Sequence, residues 1–178
     1  MSEAIPKTLK QFIPEEACLK CLGCCRYAKI DSVWSPCLLD EEVQDFLERK
    51  IPPALIDAKR RILPVHLPGK DNFICTFLDA KENKCEIYAF RPFECQLYPF
   101  LLNLRNKKVF LTVDLHCPYI KEKLKSQELK DYIAYLSAFL NSPEQLRILR
   151  DNPQIIQAYE EVLEVVELEV LPDAPKLS

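Results

Sequence analysis

At 178 residues the chain fits one domain, and with 48% hydrophobic residues it has core enough not to need disulfides to offset small size. Its 24 Lys and Arg against 27 Asp and Glu give a net charge of −3, without the basic excess of a general nucleic-acid binder. No stretch approaches the roughly 18 consecutive apolar residues of a membrane span, and Met1 to Phe12 contain no apolar signal segment, so no membrane association and a cytoplasmic location are expected.

Residues 1–17 read as an extended arm, because Pro6 and Pro14 interrupt a helix. A cysteine loop follows over residues 18–26, and residues 27–33 are expected as a short strand. Asp40 reads as the N-cap of a helix, with Glu41 and Glu42 in the first turn and Val43, Phe46 and Leu47 on one face. Pro52-Pro53 is expected to open a second helix to about Leu63, ended by Pro64, Pro68 and Gly69.

Residues 73–78 have strand composition. A polar turn over 79–83 leads to a second strand from Lys84, making a hairpin. A short helical turn is expected around Arg91 to Cys95, then a second hairpin whose strands are 100–104 and 109–113. Beyond Cys117 the period changes. Leu129, Tyr132, Ile133, Leu136 and Leu140 form a helical stripe. Ser142-Pro143-Glu144-Gln145 matches a capping box, and Asn152-Pro153 is expected to start a third helix bearing Ile155, Tyr159, Val162, Leu163, Val166 and Val170. The fold class is thus α+β: a small cysteine-rich domain of short hairpins and helices over 18–118, a helical extension packed on it over 119–171, and a tail at 172–178.

Nine cysteines exceed what packing needs, and their odd number fits poorly with complete internal pairing. In the cytosol thiols stay reduced, and clusters are more often metal-binding or catalytic than disulfide-bonded. Cys18, Cys21 and Cys24 are separated by two residues each, a spacing that lets a tight turn aim several sulfurs at one centre, as in zinc ribbons and iron–sulfur loops. The adjacent Cys24 and Cys25 would point to opposite sides of an extended backbone. Cys25 then belongs to a second centre or is a spare thiol. Cys75 and Cys85 flank the first hairpin, Cys95 approaches from the turn after Arg91-Pro92, and Cys117 precedes a proline. Cys37 stands apart and reads as a structural thiol. The other eight suffice for two four-thiolate sites, or for one site and two redox pairs. His66 and His116 are weaker candidate ligands. Arg26 and Arg91 are placed to offset the negative charge of a thiolate centre.

Four segments together resemble the CxxCxxCC family of small cysteine-cluster proteins: Cys18-x2-Cys21-x2-Cys24-Cys25-Arg26; Phe73-x-Cys75-x-Phe77-Leu78; Cys85-x-Ile87-Tyr88-x2-Arg91-Pro92-x2-Cys95-x2-Tyr98-Pro99; and His116-Cys117-Pro118. Members are described as zinc- or iron-chelating domains and often labelled predicted iron–sulfur oxidoreductases. The resemblance implies that Cys18, Cys21, Cys24, Cys25, Cys75, Cys85, Cys95 and Cys117 are the candidate metal ligands. It implies no substrate.

The favoured function is metal binding at a cysteine-ligated centre, with an iron–sulfur cluster such as [4Fe–4S] slightly ahead of Zn²⁺, in a redox or accessory role beside a protein or redox partner. The alternatives are a structural zinc module presenting helices to a protein partner, a carrier that exchanges metal, and an enzyme dependent on the cluster or on a reactive thiol such as Cys25. No G-x-G-x-x-G, P-loop, H-E-x-x-H or C-x3-C-x2-C motif supports a particular catalytic chemistry.

Overall fold

The computed structural model describes residues 9–170, and its architecture is α+β. Residues 1–8, with Pro6, and the tail expected at 172–178 lie outside the described part. The chain passes through helix α1 (Glu15–Lys20), strand β1 (Arg26–Tyr27), helix α2 (Asp40–Glu48) and strands β2 (Pro64–His66), β3 (Phe73–Cys75), β4 (Leu78–Asp79) and β5 (Lys84–Cys85). It continues through helix α3 (Phe93–Leu97), strands β6 (Phe100–Arg105) and β7 (Lys108–Asp114), helices α4 (Pro118–Lys123), α5 (Gln127–Leu140) and α6 (Pro143–Asp151), and strand β8 (Val162–Glu167). The sheets are antiparallel and run β1-β3-β2, β4-β5 and β6-β7-β8.

Where capping and turn chemistry are strong, the elements follow the sequence. Ser126 Oγ accepts from Leu129 N–H at 3.1 Å and Ser142 Oγ from Gln145 N–H at 3.4 Å, satisfying amides that open α5 and α6. Leu129, Tyr132, Leu136 and Leu140 are the buried stripe of α5. Asn106 and Lys107, at φ 52° and 62°, make the two-residue turn between β6 and β7, whose positive φ pair matches the strand twist.

Several expectations are corrected. Helix α1 begins at Glu15, so Cys18 sits on a helix and not in a loop. The strand expected over 27–33 shrinks to β1. Leu39, not Asp40, caps α2, its N–H donating to Glu42 Oε2 at 2.9 Å. The expected strand over 73–78 divides, because β3 pairs with β1 and β2 whereas β4 pairs with β5.

The helix expected from Pro52 to Leu63 is one 3-10 turn, Pro53–Leu55. Asp57 breaks it. Its Oδ1 accepts the N–H groups of Lys59 and Arg61, both at 2.8 Å, and Arg60 takes φ 64°. An aspartate that satisfies nearby amides in this way favours a turn over a helix. The helix expected from Asn152 is likewise only the 3-10 turn Pro153–Ile155, and the apolar run after it becomes β8 along β7. Val162, Val165 and Val166 are β-branched and suit a pleated surface, and the ladder supplies backbone partners that an isolated helix end would lack.

Two cores result. The larger joins the β6-β7-β8 sheet to α5 and α6 through Leu102, Leu111, Leu136, Leu140 and Leu149, and includes Cys37 and Cys117. The smaller centres on Phe46, Leu38, Ile62 and Ile74 and includes Cys75, with Cys25 and Cys85 packed against it.

Candidate metal centre

The first four cysteines are shaped by local backbone geometry. Cys18 lies in the last turn of α1, and Cys21 caps it, its N–H donating to Cys18 O at 3.0 Å. The Asn83 side-chain amide donates to Leu19 O at 2.7 Å and Cys21 O at 2.8 Å, tying this turn to the β4-β5 hairpin. A Cβ at Gly23 would stand 3.2 Å from Cys21 Sγ, so glycine leaves room for the sulfur. Gly23 O then accepts from Arg26 N–H at 3.0 Å, closing a turn with Cys24 and Cys25 at its two central positions.

That turn corrects the expectation of opposed side chains. Cys24 Sγ and Cys25 Sγ are 4.0 Å apart. The reasoning from an extended backbone fails because the residues are in a turn, where successive side chains do not alternate. Four ligands at 2.3 Å around one tetrahedral metal have sulfurs about 3.8 Å apart, so the two are close to the spacing of co-ligands.

The later cysteines come to this turn from separate elements. Cys75 N–H donates to Cys25 O at 2.9 Å, extending the β1-β3 register Arg26↔Ile74 by one pair. Cys25 and Cys75 are therefore directly opposite, with side chains on one face. Cys85 pairs with Leu78 across the next hairpin. On α3, Phe93 and Leu97 enter the larger core, and Cys95 lies on the other side of the helix. Cys117 is buried and immediately precedes α4. All nine thiols are free.

The thiols shape one another's ionisation. Burial pushes Cys75 up to about 12 and raises Cys95 well above the usual thiol range, with neighbouring thiol charge adding to both. Burial also raises Cys18, Cys85 and Cys117. Cys25 moves down: the hydrogen bond from Cys24 is the largest influence, with Arg26 and Arg91 helping against the opposing effect of burial. Arg91 lies over the Tyr88 ring at 4.1 Å, hydrogen-bonds Gln11, and acts favourably on Cys18, Cys25 and Cys85. A bound cation would reverse the cost of ionising these sulfurs, because it stabilises the thiolates that burial disfavours.

Among the described residues no three Cys, His, Asp or Glu side chains are arranged to hold a metal ion as they stand. The donors fit the chemistry nonetheless: soft thiols without a competing disulfide suit zinc or an iron–sulfur cluster. The histidines are engaged elsewhere. His66 stands edge-on to Phe73 at 5.4 Å, and His116 Nδ1 is 2.8 Å from Asp114 Oδ1. Cys37 is buried in the larger core and accepts from Gln157 Nε2 at 3.3 Å, as a structural thiol would.

Sequence reasoning missed Asn83, whose only signal is an asparagine in a polar turn. It also missed the buried acids of the scaffold. Glu42 accepts from Leu39 and Phe93 N–H, and Glu94 accepts from Cys37 N–H at 2.5 Å. No motif marks either.

A family model, CxxCxxCC, described as "Putative zinc- or iron-chelating domain", matches residues 17–118, more than half of the chain. "Uncharacterized protein MJ0661" of Methanocaldococcus jannaschii is 49% identical over 41 residues, an alignment covering 23% of this chain and 22% of that protein. No solved structure matches. Among the described residues no helix is long and apolar enough to cross a membrane.

Proposed function

The chain belongs to the CxxCxxCC family of zinc- or iron-chelating domains, and from that premise we propose that its cysteines bind an iron–sulfur cluster that passes or stores electrons for a protein partner. The observation that supports it is the Cys24-Cys25 turn, whose two sulfurs are 4.0 Å apart and against which Cys75 is held by a backbone hydrogen bond, in a chain whose thiols are all free. The two-residue spacing of Cys18, Cys21 and Cys24, with further cysteines downstream, favours a cluster over a lone ion, because iron–sulfur loops use that spacing. Arg26 and Arg91 accord with a centre whose thiolates carry net negative charge. A cytoplasmic location, where thiols remain reduced, suits nine free cysteines.

Anaerobic purification, visible absorption and counts of iron, sulfide and zinc test the reading. A brown protein with matching iron and sulfide is the expected result. A colourless protein with stoichiometric zinc overturns the electron-transfer role and makes the domain a structural zinc module.

A further inference from the structure

Of the nine thiols Cys24 alone is exposed, and its neighbour in the chain is also its neighbour in space. We propose that Cys24 and Cys25 form a reversible disulfide with each other, a redox modification site at the surface of the cysteine turn whose closing takes two sulfurs out of the donor set. The disulfide stands on the geometry of the turn, and its effect on metal rests on the metal-binding reading above.

Adjacent cysteines on an extended backbone point to opposite sides and cannot bridge. Here the bond from Arg26 N–H to Gly23 O, 3.0 Å long, folds them into the central positions of a turn, and the sulfurs stand 4.0 Å apart. A disulfide needs about 2.0 Å between them, so the pair closes by rotating both side chains with some give in the turn. Leu22, Gly23 and Cys24 are exposed in succession, whereas Cys37, Cys75 and Cys117 are buried, so an oxidant in solution meets Cys24 first. Consecutive Cα atoms lie about 3.8 Å apart, short of the roughly 4.4 Å at which ordinary disulfides begin. A bond between chain neighbours is therefore strained, and strained, exposed disulfides are the ones that thiols reopen. The pair is built to switch and not to staple.

The oxidant is a low-molecular-weight disulfide, RSSR. Cys24 thiolate attacks one of its sulfurs, the S–S bond of RSSR breaks, and one RS⁻ leaves. Cys25 thiolate then attacks the Cys24 sulfur and displaces the second RS⁻. The two protein thiols lose two electrons and two protons, which the two departing RSH molecules carry away. A disulfide sulfur is no longer a thiolate, and thiolate is the form that binds metal. Excess RSH runs both steps backwards and returns both sulfurs.

The test uses the wild-type full chain, so no variant has to fold. Metal is removed with a chelator under reducing conditions, the reductant is removed anaerobically, and oxidised glutathione is added. Free thiols are then alkylated, and trypsin cuts after Lys20 and Arg26 to release residues 21–26. Tandem mass spectrometry should find this peptide two hydrogens lighter, with one alkyl group, on Cys21. Reduced glutathione should reverse the loss. An alkyl group on Cys25 instead, which marks a Cys21–Cys24 bond, or alkyl groups on all three cysteines, overturns the proposal. In denaturant the yield should fall, and an equal yield would assign the bond to chain adjacency and overturn the role of the turn. Uptake of zinc, and of iron with sulfide, should be weaker in the oxidised protein and return on reduction. Equal uptake by both forms overturns the effect on metal. Reduced protein that takes up neither zinc nor iron overturns the metal-binding reading, while the peptide by itself still decides the disulfide.

Discussion

Cys75 donates its backbone N–H to the carbonyl of Cys25 at 2.9 Å, across strands that are 48 residues away from each other at Arg26 and Ile74. With the β1-β3 pairing and the packing of Cys25, this bond joins the cysteine turn to the smaller core, so a metal held at the turn would be coupled to order in that core. Stripping the metal with a strong chelator under reducing conditions is expected to lower the melting temperature by about 10 °C or more, several kcal/mol for a chain of this size. Calorimetry before and after chelation measures it, and an unchanged transition would show that the core does not depend on metal.

Arg91 supplies positive charge beside Cys18, Cys25 and Cys85. Arg91→Met keeps much of the stem that lies on Tyr88 and removes the charge. Metal affinity, measured by competition with a chromophoric chelator, should fall about tenfold, equivalent to about 1.4 kcal/mol, with Arg91→Lys recovering part of it. Equal affinities in the three proteins would assign Arg91 a packing role alone.

Asn83 pins the cysteine turn through two carbonyls and adopts φ 52°, a conformation that asparagine tolerates better than most residues. Asn83→Ala should cost about 1–2 kcal/mol and speed metal loss to chelator, because the turn at Leu19 and Cys21 loses its tether. Asn83→Gly preserves the backbone freedom but not the amide. If glycine restored the slow metal loss, backbone conformation would be the cause and not the hydrogen bonds.

Glu42 is pushed up to about 7 from 4.5, chiefly by burial, while the Leu39 and Phe93 amides pull the other way. Its folded value lies above its unfolded value, so the folded state holds the proton more tightly. The corresponding stability is fully present below about pH 4.5 and is lost as pH rises through about 7. Denaturant melts of wild type from pH 5 to 8 should show this decline, and Glu42→Gln should flatten it. The same slope in the Gln variant would assign the pH dependence to other groups.

The spacing of Cys18, Cys21 and Cys24 and the later Cys85, Cys95 and Cys117 pieces already marked metal-chelating chemistry in the sequence. The serines before α5 and α6 also sufficed, since a cap and a stripe act within a few residues and need no distant partner. Residues 162–167 were different. Their valines satisfy a helical stripe and a strand equally well, and only β7, some fifty residues earlier, offers the ladder that decides between them. Asp57 overrode the helix after Pro53 through amides that a hydrophobic period does not record. The cysteines show the same division. Residue type and spacing determined what chemistry the chain can perform, because thiolate affinity belongs to the side chain. Which sulfurs become neighbours was decided by the turn at Gly23, the pairing of Cys25 with Cys75 and the face of α3 that carries Cys95, for these contacts close loops too long for local sequence to govern.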